Sequence, residues 1–183
     1  MEPIEIIAQA VGIVAMAFNI FSFQKKTQKG VIAFQLVGGA LFAVNFLLLG
    51  AYVGGILNVI AALRAVIFLN KEKLKADRPV WFIGFTAIYI SVYILSFTVF
   101  GTKPSPYNFV IELLPVIGMV ATTVGFSLKK AADVRKCGLV SSPSWLVYNI
   151  SNFSLGAIIC EVLSLISIVT GIIRLDINKP KKK

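Results

Sequence analysis

Apolar residues in this chain come in long blocks, and the polar residues between them come in short ones. A helix needs about 20 predominantly apolar residues to cross a bilayer. Seven blocks of roughly that length follow one another, at 4–23, 31–49, 51–69, 80–100, 107–128, 138–153 and 154–173. The second and third meet at Leu49-Gly50-Ala51-Tyr52, and the sixth and seventh at Phe153-Ser154. Both junctions predict tight hairpins with no room for an external domain. The pattern predicts an all-α integral membrane protein with seven transmembrane helices.

Charge then orients the blocks. Lys25, Lys26 and Lys29 follow the first, and Lys71, Lys73, Lys75 and Arg78 the third. Lys129, Lys130, Arg135 and Lys136 follow the fifth, and Arg174, Lys179 and Lys181 to Lys183 the seventh. On the opposite side stands Lys103 alone, with Arg64 inside a block near its basic end. Cytoplasmic loops are enriched in Lys and Arg, so the N-terminus is predicted outside and the C-terminus in the cytoplasm. Arg64 is expected to snorkel towards that cytoplasmic end.

Blocks one to three and five to seven share a pattern: long span, basic loop, short span, almost no loop, long span. Lys25-Lys26 maps onto Lys129-Lys130 and Asn45 onto Asn149 at a separation of 104 residues, whereas Phe42 maps onto Trp145 and Asn58 onto Glu161 at 103. One residue turns a helical side chain by about 100°, and both registers stay open. Three helices per unit with one linking helix give both units the same orientation, a 3+1+3 parallel repeat related by an axis along the membrane normal. The predicted organisation is a first triple-helix unit at 1–70, a cytoplasmic loop and linker helix at 71–105, a second unit at 106–174 and a basic cytoplasmic tail at 175–183. The fourth block, rich in Phe and Tyr, reads as a connector facing lipid and neighbouring helices.

Composition narrows the function classes. The chain has 183 residues, 57% hydrophobic and 14% charged, with a mean hydropathy of +0.86; a soluble domain carries about 25% charged residues. The net charge of +10 comes from short inter-span clusters, not from a basic face, so no nucleic-acid partner is expected. There is no histidine, and Cys137 and Cys160 are isolated, which predicts packing roles, no metal site and no cofactor. Glu2 and Glu5 stand where a signal peptide would be basic, so none is expected. An intramembrane enzyme is disfavoured, because two carboxylates without an activated nucleophile make a thin active site.

The candidate chemistry is the polar minority inside the blocks. Between Ser142 and Glu161 the chain gathers Pro143, Trp145, Tyr148, Asn149, Asn152 and several serines. An ionisable group within a span is costly and points to a pathway or a site. Glu161 lies about seven residues into its block, roughly 10 Å at 1.5 Å per residue. Counting in the same way puts Glu112, Asn58, Phe42 and Trp145 at similar depth. Phe42 and Trp145 are predicted to wall a pocket for a flat or ring-shaped solute, with Asn58, Asn149, Glu161 and Glu112 as its polar contacts. Alternatively, Asn58 and Glu161 bond helices together and Glu112 sits near the interface. Pro115 and Pro143 each remove a backbone hydrogen bond and serve as hinges or tolerated bends.

The run Glu112-Leu113-Leu114-Pro115-Val116-Ile117-Gly118, then Trp145-Leu146-Val147-Tyr148-Asn149, then Gly156 and Glu161, resembles the YgjV family of bacterial inner-membrane proteins. Phe46-Leu47-Leu48-Leu49-Gly50-Ala51-Tyr52 and Leu57-Asn58 in the first half agree with it. The resemblance implies a multi-pass protein of the bacterial inner membrane. More remotely, the 3+1+3 layout resembles the SWEET and PQ-loop carriers of sugars and amino acids and the PnuC vitamin carriers. That likeness implies a central pocket flanked by Phe42, Asn58 and Trp145. Phe23-Gln24 stands where the first proline-glutamine pair of those carriers would be. Glu161 stands where a second Asn is expected, which admits a cationic solute or proton coupling.

The expected function is transport of a small polar solute, by facilitation or proton coupling, with the lipid bilayer as the other partner. A non-transporting scaffold or assembly partner has the same hydropathy and remains the alternative. Monomer and homo-oligomer are both open.

Overall fold

The computed structural model describes residues 3–49, 52–151 and 155–178. Among them every regular element is helical: α1 (Pro3–Ser22), α2 (Gln28–Leu48), α3 (Tyr52–Leu69), the single turn α4 (Lys71–Leu74), α5 (Pro79–Thr98), α6 (Pro106–Ser127), α7 (Ala131–Ser151) and α8 (Leu155–Gly171), which runs on as a π-helical turn at Ile172–Ile177. The expected hairpin junctions at 50–51 and 153–154, and the tail beyond 178, lie outside the described residues.

Local chemistry sets several of these ends. Thr27 and Ser105 cap α2 and α6, their hydroxyls accepting from the backbone N–H of Gly30 and Asn108 at 3.1 Å each, which satisfies a donor the first helical turn leaves open. Pro79 and Pro106 occupy first-turn positions, where a missing N–H costs nothing. After α5 the chain turns at Gly101, whose φ of +77° suits glycine.

Among the described residues, five helical segments are both long and apolar enough to cross a membrane: α1, α2, α5, α6 and the stretch Gly156–Ile177. Their outward faces carry side chains such as Ile13, Ile83, Val110 and Ile166, each exposed to more than half, as lipid-facing surfaces require. One of the seven expected spans is weaker. The expected span at 138–153 belongs to a helix that starts at Ala131, so Asp133, Arg135 and Lys136 lie inside α7 and lower its hydropathy.

Neighbouring helices in the chain pack together: α1 with α2, α2 with α3, α5 with α6, α6 with α7 and α7 with α8. Across the molecule α1 meets α8, α2 meets α7 and α3 meets α6. Gly38 lets α1 and α2 approach closely, since a Cβ there would lie 3.1 Å from the Ala15 carbonyl. The tight core gathers towards the basic-loop end, where Val31, Ile32, Phe68, Phe85, Tyr89, Phe126 and Val134 interlock. The helix α5 buries Phe85 and Tyr89 in that core, the side it turns to neighbouring helices. Pro115 and Pro143 lie within α6 and α7, which both continue past them.

Two arginines stand apart from the sequence expectations. Arg64 does not snorkel: it is 5% exposed, and its Nη1 donates to Tyr89 Oη at 3.2 Å, the Met119 carbonyl at 3.1 Å and Thr123 Oγ1 at 3.4 Å. Acceptors on α5 and α6 are closer than the interface, so the side chain turns inward. Arg135, expected in a cytoplasmic loop, is 2% exposed within α7. It donates to the carbonyls of Phe23 and Lys25 and to the carboxylate of Asp176.

Candidate functional site

A cavity of about 850 Å³ lies between α1–α3 on one side and α6–α8 on the other. It reaches from Leu49 and Gly156, near the helix ends on one side of the molecule, to Phe23 and Val134 near the opposite ends. Ligand pockets typically occupy about 300–1,000 Å³ with mostly apolar walls and a few convergent polar groups, and this cavity has that character.

Five of the six residues expected to bind solute line it: Phe42, Asn58, Trp145, Asn149 and Glu161. Phe42, Asn58, Trp145 and Glu161 each stand six residues in from a helix end on the same side, or about 9 Å at 1.5 Å per residue. They share a level because the helices alternate in direction and have nearly equal lengths. Trp145 packs edge-on against Tyr148, with ring centroids 5.9 Å apart. Phe42 lies beside Phe46, and both rings line the cavity. Glu161 is partly buried.

Glu112 is the exception. It stands at the same level on α6, but lines a separate small cavity of about 40 Å³ with Tyr93, Pro115 and Tyr148. Its position around the helix turns it towards α5, and Tyr148 stands between the two spaces as a wall of both. Equal depth did not guarantee a shared pocket.

The polar wall is knitted by hydrogen bonds that fix its shape. Asn45 Nδ2 donates to the Ala8 carbonyl at 2.7 Å, and Gln35 Nε2 to Ser22 Oγ at 3.2 Å. Asn19 Nδ2 donates to Ser164 Oγ at 3.4 Å, a direct link between α1 and α8. Thr122 and Ser141 join α6 to α7 through their hydroxyls at 3.1 Å. Gly118 brings the backbone of α6 against the Trp145 ring, since a Cβ there would lie 2.8 Å from Nε1.

Arg64 also belongs to the wall, a placement hydropathy alone could not give. Its Cζ lies 5.1 Å from the centre of the Phe126 ring, another wall residue. Cys160 lines the cavity as a buried free thiol. Among the described residues no group of three or more His, Cys, Asp or Glu is placed to hold a metal ion.

Comparison with known proteins agrees with this membrane architecture. A family model described as a bacterial inner membrane protein, Imp-YgjV, matches residues 6–179. The chain is similar to the inner membrane protein YgjV of Escherichia coli strain K12, with 27% identity over 155 residues, covering 85% of this chain and 76% of that protein. No solved structure matches.

Proposed function

The chain belongs to the YgjV family of bacterial inner-membrane proteins, and on that footing we propose that it carries a small polar solute across the inner membrane. In this reading the chain crosses the bilayer seven times, with the N-terminus outside. Two triple-helix units, α1–α3 and α6–α8, move against each other around the cavity they enclose.

The single observation that carries the reading is the cavity of about 850 Å³ walled by both units, with Asn58, Asn149 and Glu161 beside Phe42 and Trp145. In a bundle evolved only for packing, polar side chains at membrane depth would close on one another. The repeat has support of its own. Pro3 and Pro106, at the first described residues of α1 and the start of α6, are 103 residues apart, as are Gln28 and Ala131 at the starts of α2 and α7. The contacts of α1 with α8 and of α3 with α6 exchange under a two-fold axis that relates the units, and the contact of α2 with α7 maps onto itself. The 103-residue register makes Asn58 the counterpart of Glu161.

A direct test uses single cysteines at positions 45, 58 and 145 in a background lacking Cys137 and Cys160. A carrier requires all three to react with a membrane-impermeant thiol reagent added from one side or the other. Inert positions would favour a sealed scaffold. Solute flux in proteoliposomes, screened over sugars, amino acids and vitamins, is the accompanying measurement.

A further inference from the structure

We propose that the cavity takes a small organic acid, and that Arg64 is the residue that holds its carboxylate. This deepens the carrier reading by naming a class of solute, and it rests on that reading for its physiological use.

Arginine stays charged in any protein environment, so Arg64, 5% exposed at membrane depth, is a permanent buried cation. Buried charges are expensive unless paired and hydrogen-bonded. The acceptors Arg64 meets are neutral: a phenol, a carbonyl, a hydroxyl and a thioether, all through Nη1. Neither ion pair among the described residues involves it. Its Nε is buried with no hydrogen-bond partner. A purely structural clamp would be built with its counter-ion, as Arg135 is built with Asp176. Arg64 instead stands in the wall of a large cavity, with Phe126 under its guanidinium group, which holds the plane in one orientation.

A carboxylate arriving in the cavity would supply the missing charge, and the guanidinium offers it a charge-assisted hydrogen bond. On α3, Arg64 lies six residues beyond Asn58, about 9 Å along the axis. The level of Phe42, Asn58 and Trp145 is therefore one short molecule away from Arg64. An acid with an apolar or ring-shaped body fits that spacing, its body between the aromatic rings and its carboxylate against Arg64. Glu161, at the level of Asn58, is the one carboxyl group in the wall among the described residues.

Matched acid and amide pairs decide the matter, because they differ in charge and hardly in shape. The full-length protein in lipid nanodiscs is melted with benzoate against benzamide, lactate against lactamide, and succinate against succinamide. A ligand that binds the folded state raises its melting temperature. At least one acid is expected to stabilise at a concentration tenfold or more below its amide, and Arg64→Gln is expected to remove the difference. Acids and amides acting alike, or no acid acting at all, would overturn the assignment. So would an unchanged preference for acids in a folded Arg64→Gln protein. Should Arg64→Gln fail to fold, the wild-type acid-to-amide ratio decides alone. Proteoliposome flux separates the two readings. Arg64-dependent binding without flux keeps the anion site and removes the carrier. Flux of a neutral sugar, indifferent to the acids and to Arg64, keeps the carrier and removes the anion site.

Discussion

Arg135 and Asp176 form a two-point ion pair across the basic end of the molecule, Nε to Oδ2 at 2.8 Å and Nη2 to Oδ1 at 2.5 Å. The same guanidinium donates from Nη1 to the carbonyls of Phe23 and Lys25, at 3.2 and 2.9 Å. One side chain of α7 therefore holds both the π-helical turn after α8 and the link between α1 and α2. Gln24 adds a parallel strap, donating to the carbonyl and hydroxyl of Ser167 at 2.6 and 2.9 Å.

Asp176→Ala should destabilise the protein strongly, because it leaves the Arg135 charge buried without its partner. Breaking a buried pair by removing one member costs about 3–5 kcal/mol. The loss should read as a lower midpoint of thermal unfolding in nanodiscs. Arg135→Lys should also lower the midpoint, since an ammonium cannot reproduce the two-point geometry. A melting midpoint in Asp176→Ala equal to that of the wild type would show that the clamp carries no stability.

Gly118→Ala should displace Trp145. The added Cβ would stand 2.8 Å from Nε1 and 2.9 Å from Cδ1 of the indole, and overpacking of this kind costs about 1–3 kcal/mol. The ring borders the cavity, so it has room to yield on that side. Of the chain's two tryptophans the other is Trp81; in a Trp81→Phe background the emission reports Trp145 alone. A shifted emission maximum and altered quenching are expected from Gly118→Ala, and identical spectra would mean that α6 gives way instead.

Depth was readable in the sequence and direction was not. Apolar blocks and basic clusters give the order of the helices, because a bilayer penalises polar groups by depth. The level shared by Phe42, Asn58, Trp145 and Glu161 follows from counting rise per residue. What a helix presents to which neighbour depends on its rotation, about 100° per residue, and no hydropathy window reports that. Glu112 shows the consequence, sharing the depth of Glu161 while lining a different space. Arg64 and Arg135 show it too. Their positions suggested an interface and a loop, but their partners lie on distant segments: Tyr89 on α5, Met119 on α6 and Asp176 after α8.

Lys71 should give the protein a pH-dependent stability that a neutral residue would lack. Its Nζ donates to the carbonyls of Ser127 and Leu128 at the end of α6. Burial holds its ammonium below the ordinary lysine value of 10.5, with Asp77 opposing and Lys129 adding to the effect. At neutral pH both folded and unfolded chains carry the charge, and the folded chain bears the whole desolvation cost. As pH rises through the folded value towards the unfolded one, the folded chain sheds its proton first and the cost is relieved. The contribution of this group therefore becomes more favourable as pH rises towards the ordinary lysine value of 10.5. The slope should be shallow, since Lys71 is only partly buried, and Lys71→Met should remove this component of the melting profile. An unchanged slope in the variant would place the effect elsewhere.

Moving the carboxylate between Asn58 and Glu161 should test the repeat and the site together. Both residues line the cavity at one level, and the proposed repeat, read in its 103-residue register, would make them counterparts. If the site needs one carboxylate at that level, Glu161→Asn alone should lower solute flux in proteoliposomes by tenfold or more, about 1.4 kcal/mol in the barrier. Adding Asn58→Glu restores a carboxylate at the related position, and flux should return to within about tenfold of the wild type. A scaffold predicts no flux to lose, and an unrelated pair of helices predicts no rescue. Coupling can be read in the same vesicles. In a proton-coupled carrier that uses this carboxylate, an imposed pH gradient should drive flux in the wild type and in the relocated variant, but not in Glu161→Asn. A facilitator should ignore the gradient in all three.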